Sequence, residues 1–213
     1  MAKVVSDVNV CNLALSNISQ EPIVSITAPK DNNEKICAKW FDTTRRQVLA
    51  IAEWNFARGQ VLTPQDSVSP PFGYEKQYVL PADYLKLVWI GTTRQAFVRL
   101  YSDYAIVGNK LQINYDEDGA IPIAYTKDLK SVALFSPWVL QVFVKQLALN
   151  ISPEINRTAT EIQQLEAQLS DAIKLARELD GQESKVIITS ANNILSGRNR
   201  RLAQNHEITF TDS

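Results

Sequence analysis

Residue types that carry catalysis and metal binding are scarce in this chain of 213 residues. The single histidine, His206, lies in a polar segment without clear periodicity, which disfavours a Ser-His-Asp or Cys-His catalytic arrangement. The two cysteines and seven glycines form neither a zinc-ligand spacing nor a glycine-rich phosphate loop. The sequence therefore predicts no cofactor, no metal site and no enzyme.

Charge of one sign and long apolar runs are also lacking. The 22 basic and 23 acidic residues leave a net charge of -1, so no general attraction to nucleic acid or an anionic membrane is expected. No window approaches the roughly 18 apolar residues of a membrane span, and "MAKVVSDVNV" lacks the apolar core of a secretion signal. With Cys11 and Cys37 in helix-like stretches, the sequence predicts a soluble intracellular protein with reduced, buried thiols.

What is present is a helical pattern at both ends of the chain and a strand pattern between them. Ser6 or Asp7 caps a first predicted helix that ends before Pro22, and "DNNE" at 31–34 resembles a capping box for a second helix that reaches Trp54. From Arg58 to Thr126, proline and glycine separate short segments rich in β-branched and aromatic residues, such as "YLKLVWI" and "IPIAYT". These segments predict a β meander.

Two further helices are predicted after the strand region. Ser136-Pro137 is a helix start, and the helix 137–151 is apolar nearly all round, so we expect it at the centre of the core. A long helix from Glu154 to Glu183, about 45 Å in length, has a narrow apolar seam, with Gly181 as a possible terminator. The seam consists of Ile162, Leu165, Leu169, Ile173, Ala176 and Leu179.

This order of elements predicts an α+β fold that is mainly a helical bundle with a small inserted β domain and a long C-terminal helix. Residues 1–57 plus 127–183 form the bundle, 58–126 the insert and 184–213 an extended tail. Trp54 and Phe56 lie where the chain leaves the bundle, so we expect them to fill the seam between the two layers.

Charged residues form clusters with more than one interpretation. Asp116, Glu117 and Asp118 could hold a hard cation, but Gly119 favours a solvated hairpin turn. The adjacent Arg45 and Arg46 point about 100° apart on a helix, so we expect one in a structural salt bridge and the other free. The basic cluster of the tail, which is either solvated or a docking strip, consists of Arg198, Arg200 and Arg201.

Adjacent segments of the chain carry opposite charge. Residues 154–183 contain seven acidic and three basic side chains, and residues 184–213 contain four basic and two acidic ones. This asymmetry suits a ring in which each tail reaches another subunit, although it can also be satisfied within one chain.

Four stretches are distinctive in their order and spacing: "NVCNLALSNIS" before Pro22, "KWFDTTRRQVLAIAEWNFA" at 39–57, "YVLPADYLKL" at 78–87 and "FSPWVLQVFVKQLALNIS" at 135–152. In these stretches the chain resembles the tail tubular protein A family of short-tailed bacteriophages, the head-to-tail adaptors that form a ring beneath the portal. The Trp-Asn-Phe-Ala and Leu-Pro-Ala-Asp strings are the most specific elements, and the resemblance spans roughly residues 6–200.

The resemblance implies a non-enzymatic virion protein of the phage tail, made in the host cytoplasm. Such adaptors form rings of typically about twelve copies, contact the portal above and the nozzle or tail tube below, and leave a channel for double-stranded DNA. It further implies that the arginines at 198, 200 and 201 dock on the portal. An acidic channel lining by residues 116–118, which would let DNA slide by repelling phosphate, is a hypothesis from charge.

Two other readings stay open. A scaffolding or regulatory oligomer could use the seam of residues 154–183 as a coiled coil, forming dimers to tetramers that do not bind a portal. An enzyme would need a pocket that collects distant carboxylates such as Asp83 or Asp116.

Overall fold

The computed structural model describes residues 6–92, 103–115 and 119–183 of the chain. The α-helices in these ranges are α1 (Asp7–Asn17), α2 (Asn32–Ile51), α3 (Pro137–Ile151) and α4 (Ala159–Glu183). The strands are β1 (Arg58–Pro64), β2 (Lys76–Val79), β3 (Tyr84–Ile90), β4 (Tyr104–Val107), β5 (Lys110–Ile113) and β6 (Ala120–Lys127). Short 3-10 turns cover Asn55–Ala57, Val132–Leu134 and Ser152–Ile155.

The prediction of a mainly helical bundle is wrong. The protein is α+β, with four helices and two small antiparallel three-stranded sheets, and helix and strand account for 49% and 21% of the described residues. The reason is that the strands between the second and third helices pair into two sheets with a hydrophobic core of their own. That core includes Tyr78, Ile90, Leu111, Ile113, Ile121 and Ile123.

The order of the strands also differs from a simple meander. One sheet has the order β1-β6-β3 and the other β2-β5-β4, so β6 returns to lie between two strands that precede it by many residues. Five of the eight residues of β6 are buried and one is exposed, which suits a central strand better than an edge. Gly59 of β1 pairs with Tyr125 of β6, whose ring lies so close that a β-carbon at Gly59 would be 2.6 Å from it.

Helix α3 lies at the centre of the helical core, as predicted. Its Phe143 ring is 5.2 Å from Phe41 of α2 and 5.9 Å from Phe135. Ser136 occupies the N-cap position, but its side chain makes no capping hydrogen bond. Trp138 belongs to the apolar pattern of this helix, but its side chain is exposed at the start of the helix.

Helix α4 begins at Ala159, whereas the sequence predicts that it begins at Glu154. Residues Ser152–Ile155 form a separate 3-10 turn, and Asn156 has a left-handed backbone conformation (φ 55°) that breaks the helical path. Thr158 and Glu161 then form a reciprocal cap, in which each backbone N–H donates to the side chain of the other. The helix therefore has 25 residues, and Gly181 lies inside it instead of ending it.

Two local predictions are confirmed at the other end of the chain. Asp31 and Glu34 form the capping box of α2, with both reciprocal hydrogen bonds present. Cys11 and Cys37 are buried free thiols. In the described ranges no helix is long and apolar enough to cross a membrane.

Candidate functional site

The aromatic pair after α2 lies in the core of the helices. Trp54 is 1% exposed, and its Nε1–H donates to the carbonyl of Val48 at 2.8 Å. The ring of Phe56 lies 5.3 Å from that of Phe135, the residue that leads into α3. Both side chains thus occupy the point where the chain passes from the helices into β1.

The C-terminal end of α2 is closed by side chains from distant elements. Lys86 of β3 donates to the carbonyl of Ala50 at 3.1 Å, and Arg177 of α4 donates to the carbonyl of Ile51 at 2.7 Å. The last carbonyls of a helix have no partner within it, and positive charge is favourable there. These contacts tie a strand and a second helix to the end of α2.

A buried ion pair forms a second link between α2 and the sheets. Arg45, with a side chain 1% exposed, donates to the carboxylates of Asp42 and Asp128 and to the carbonyl of Leu129. The predicted structural salt bridge of one arginine is confirmed. The prediction that the other is free is wrong, because Nε of Arg46 lies 3.6 Å from Asp128 Oδ2.

Asp128 follows β6 and links it to α2, through Arg45, and to Asp83 just before β3. Burial by itself raises the pKa of its carboxyl, but Lys130 and Arg45 outweigh burial and hold the pKa below its usual range. Its backbone N–H donates to the carbonyl of Asp83 at 2.7 Å. Burial, together with a hydrogen bond to the Asp83 carboxylate, raises the pKa of Tyr125 to about 12.

A cleft of about 600 Å³ opens beside the end of α2. The charged and aromatic side chains that line it are Glu53, Trp54, Arg58, Lys86, Trp89, Arg177 and Asp180. We call it the basic cleft, because three of these side chains are basic and two are acidic. The guanidinium carbon of Arg58 lies 5.2 Å from the centre of the Trp89 ring, and its Nε is buried with no hydrogen-bond partner among the described residues.

Asp180 anchors the end of α4 at the floor of this cleft. Its carboxylate accepts a hydrogen bond from the backbone N–H of Asn55 at 3.0 Å, and its carbonyl accepts one from the Asn55 side chain at 2.7 Å. Burial raises the pKa of Asp180, and the charge of Arg58 opposes that effect. Sequence reasoning singled out the string around Asn55 but missed Asp180, which resembles any other acidic residue of a solvated helix.

A second groove, of about 360 Å³, lies between α3 and α4. The side chains of Trp138 and Leu175, which are 43% and 53% exposed, form part of its lining together with Asp171. Glu178 follows Asp171 by two helical turns and is also exposed. We call these four residues the acidic face.

Most of the charged residues singled out by sequence lie outside the described part of the chain. These are Asp116, Glu117, Asp118, Arg198, Arg200 and Arg201, together with the whole tail 184–213. Of the carboxylates considered for an enzyme, Asp83 accepts the hydrogen bond of Tyr125. Within the described ranges no group of three or more His, Cys, Asp or Glu side chains is arranged to hold a metal ion.

Comparison with known proteins assigns no family to the chain. No family model matches it. No curated protein matches it either. An assignment of function therefore depends on the residues and contacts described above.

Proposed function

We propose that this protein is a structural subunit of a bacteriophage virion, a head-to-tail adaptor. Copies of the chain form a ring of about twelve between the portal and the tail tube or nozzle, a number taken from the resembling family. The ring encloses a channel through which double-stranded DNA passes without specific binding. In this function the protein binds its neighbours and encloses a channel, and it catalyses no reaction.

The observation that carries the proposal is that three of the resembling strings meet at one junction. Arg45 and Trp54 come from the string at 39–57, Asp83 from the string at 78–87 and Phe135 from the string at 135–152. Their contacts are the buried ion pair to Asp128, the hydrogen bond from the backbone of Asp128 to Asp83, and aromatic packing around the end of α2.

A junction of this kind suits a ring subunit for a physical reason. A buried ion pair and close aromatic packing hold two parts of a chain in one orientation, and a small change in that orientation would be repeated at every copy of a closed ring. Support for the proposal therefore comes from contacts that determine the orientation of the sheets on the helices.

The proposal includes the tail, which the resemblance assigns to the portal, and the acidic triplet, whose role in the channel is a hypothesis from charge. Arg198, Arg200 and Arg201 of the tail dock on the portal protein, and Asp116, Glu117 and Asp118 line the DNA channel. Assembly then proceeds by mass action, since interfaces between copies stabilise the ring only when free subunits or the portal are present at sufficient concentration.

The test is the mass of the purified protein by light scattering, alone and mixed with the portal ring of the same phage. A closed ring, or a monomer that joins the portal in about twelve copies, is the expected result. A small fixed oligomer that ignores the portal would overturn the proposal.

A chain shortened to residues 1–183 provides the matched variant for the portal contact. We expect it to have the circular dichroism of the full chain, because the cores described above lie within residues 6–183. We also expect it to fail to join the portal. Normal joining by the shortened chain would remove the assigned role of the tail.

The coiled-coil oligomer is less well supported. Of the proposed seam, Leu165, Leu169 and Ala176 are buried in the helical core of the same chain. A seam covered by its own chain has little apolar surface left for a coiled-coil partner. The mass measurement separates the two functions, since a coiled coil would give two to four copies and no portal binding.

A further inference from the structure

We propose that the basic cleft and the acidic face are the two sides of the contact between neighbouring copies, with Arg58 of one copy binding the carboxylates of Asp171 and Glu178 on the next. This inference rests on the proposed ring, and it names the surfaces that close the ring.

Arg58 is a donor for which the described residues supply no hydrogen-bond acceptor. Its guanidinium is half-buried against Trp89, and the described residues supply no hydrogen bond to it. A partly desolvated charge is costly unless it is paired, and a guanidinium stacked on an indole is held in a fixed orientation for a carboxylate.

The other basic side chains of the cleft are engaged elsewhere. Lys86 and Arg177 donate to the last carbonyls of α2, so they contribute positive charge to the cleft while their positions are determined by the fold. Glu53 and Asp180 reduce that charge without cancelling it, because the lining has three basic and two acidic side chains. Arg58 is therefore the side chain in the cleft best placed to receive an anionic partner.

The acidic face has the complementary composition. Its two carboxylates, Asp171 and Glu178, are exposed two helical turns apart on α4, and the exposed apolar side chains of Trp138 and Leu175 lie beside Asp171. Lys174 is 3.4 Å from Asp171, but both side chains are largely exposed, and such surface pairs hold a carboxylate only weakly. Lys145 in the same groove donates to Gln168. An exposed aromatic residue with an apolar neighbour and a charged rim is typical of a protein interface.

The two surfaces lie on opposite sides of α4. Asp180 in the cleft follows Asp171 by nine residues, which at about 100° per residue is half a turn away from it. A ring requires two different, complementary surfaces on each copy, whereas one self-complementary surface would give a two-fold dimer. Basic and acidic surfaces on opposite sides of α4 therefore favour a head-to-tail contact with a second copy.

The experiment reverses the charge of each surface separately and then mixes the variants. Full-length Arg58→Glu and the double variant Asp171→Arg/Glu178→Arg are each expected to weaken assembly about a hundredfold, since every interface then brings like charges together. An equimolar mixture should recover assembly of wild-type mass, because alternating copies make every interface complementary. Assembly is measured by light scattering of the protein alone or on the portal ring.

Controls separate this contact from effects on folding. Glu21→Lys changes an exposed acid away from both surfaces and should assemble like the wild type. Arg58→Gln removes the charge without introducing a buried carboxylate, and circular dichroism of each variant reports whether it is folded. Arg58→Lys should recover assembly only in part, because an ammonium cannot make the paired hydrogen bonds of a guanidinium.

Each outcome decides between defined alternatives. If folded Arg58→Gln and Arg58→Glu proteins assemble like the wild type, or if the mixture of reversed variants stays unassembled, the inference is overturned while the ring can stand. If recovery in the mixture stops at a mass of two copies, the contact is a two-fold dimer and the head-to-tail arrangement is overturned. If the wild-type protein forms no ring and joins no portal, the proposed function itself fails.

Discussion

Replacing Trp54 with alanine removes the largest fully buried side chain of the described protein. Burial of about 200 Å² of aromatic surface at about 25 cal/mol per Å² corresponds to about 5 kcal/mol of transfer free energy. Measured Trp→Ala substitutions in cores cost about 3–5 kcal/mol, because partial collapse of the cavity offsets some of that value. We expect the free energy of unfolding of Trp54→Ala to fall within this range.

The assay is urea unfolding followed by far-UV circular dichroism, since a fluorescence signal would change with the removed indole. Two protein concentrations are needed, because assembly adds a concentration-dependent stabilisation to the native state. Trp54→Phe should cost about 1–3 kcal/mol, because it leaves the carbonyl of Val48 without its donor. The matched control is Phe72→Ala, at an exposed position outside both proposed surfaces, with an expected cost below about 1 kcal/mol.

A cost of Trp54→Ala no larger than that of the exposed control, with an unchanged dependence on urea, would contradict this expectation. Such a result would mean that the indole contributes little to the folded core. The aromatic pair would then have to be explained by contact with a partner.

Four further predictions concern the junction and its surroundings. Asp128→Ala should cost about 3–5 kcal/mol in urea unfolding because it leaves Arg45 buried with one carboxylate partner, and Arg45→Met in the same chain should recover part of that loss. Because the folded pKa of Asp128 is lowered, its contribution is present above about pH 4 and is lost as the pH falls through the folded value. Asp128→Asn should therefore flatten the acid limb of the stability profile, and an unchanged limb would contradict this. Gly59→Ala should destabilise by about 1–3 kcal/mol, since its β-carbon would meet the Tyr125 ring. Gly181 lies within α4, and a β-carbon added there would have no neighbouring atom within 4 Å, so Gly181→Ala should stabilise the protein by about 0.5–1 kcal/mol. A loss of stability would argue against the helical assignment.

Local interactions explain which structural features were predictable. The capping box of Asp31 and Glu34 and the apolar surface of α3 involve residues within a few turns of each other, so their patterns are visible in the sequence. The start of α4 also has a local signal at Thr158 and Glu161, but Ser152-Pro153 is a competing helix-start pattern six residues earlier in the sequence. Short apolar segments identified the strand region without indicating which strands pair.

Local patterns in the sequence indicate helices at both ends of the chain with strands between them, the capping box of α2 and the position of the aromatic pair after α2. The place of β6 between β1 and β3, the burial of Arg45, and the cleft that Arg58 and Trp89 share with Arg177 follow from tertiary contacts. The partners in these contacts are far apart in the sequence. Asp128 is 83 residues from Arg45, and Arg177 donates to a carbonyl 126 residues away, so these contacts exist only after the sheets dock on the helices.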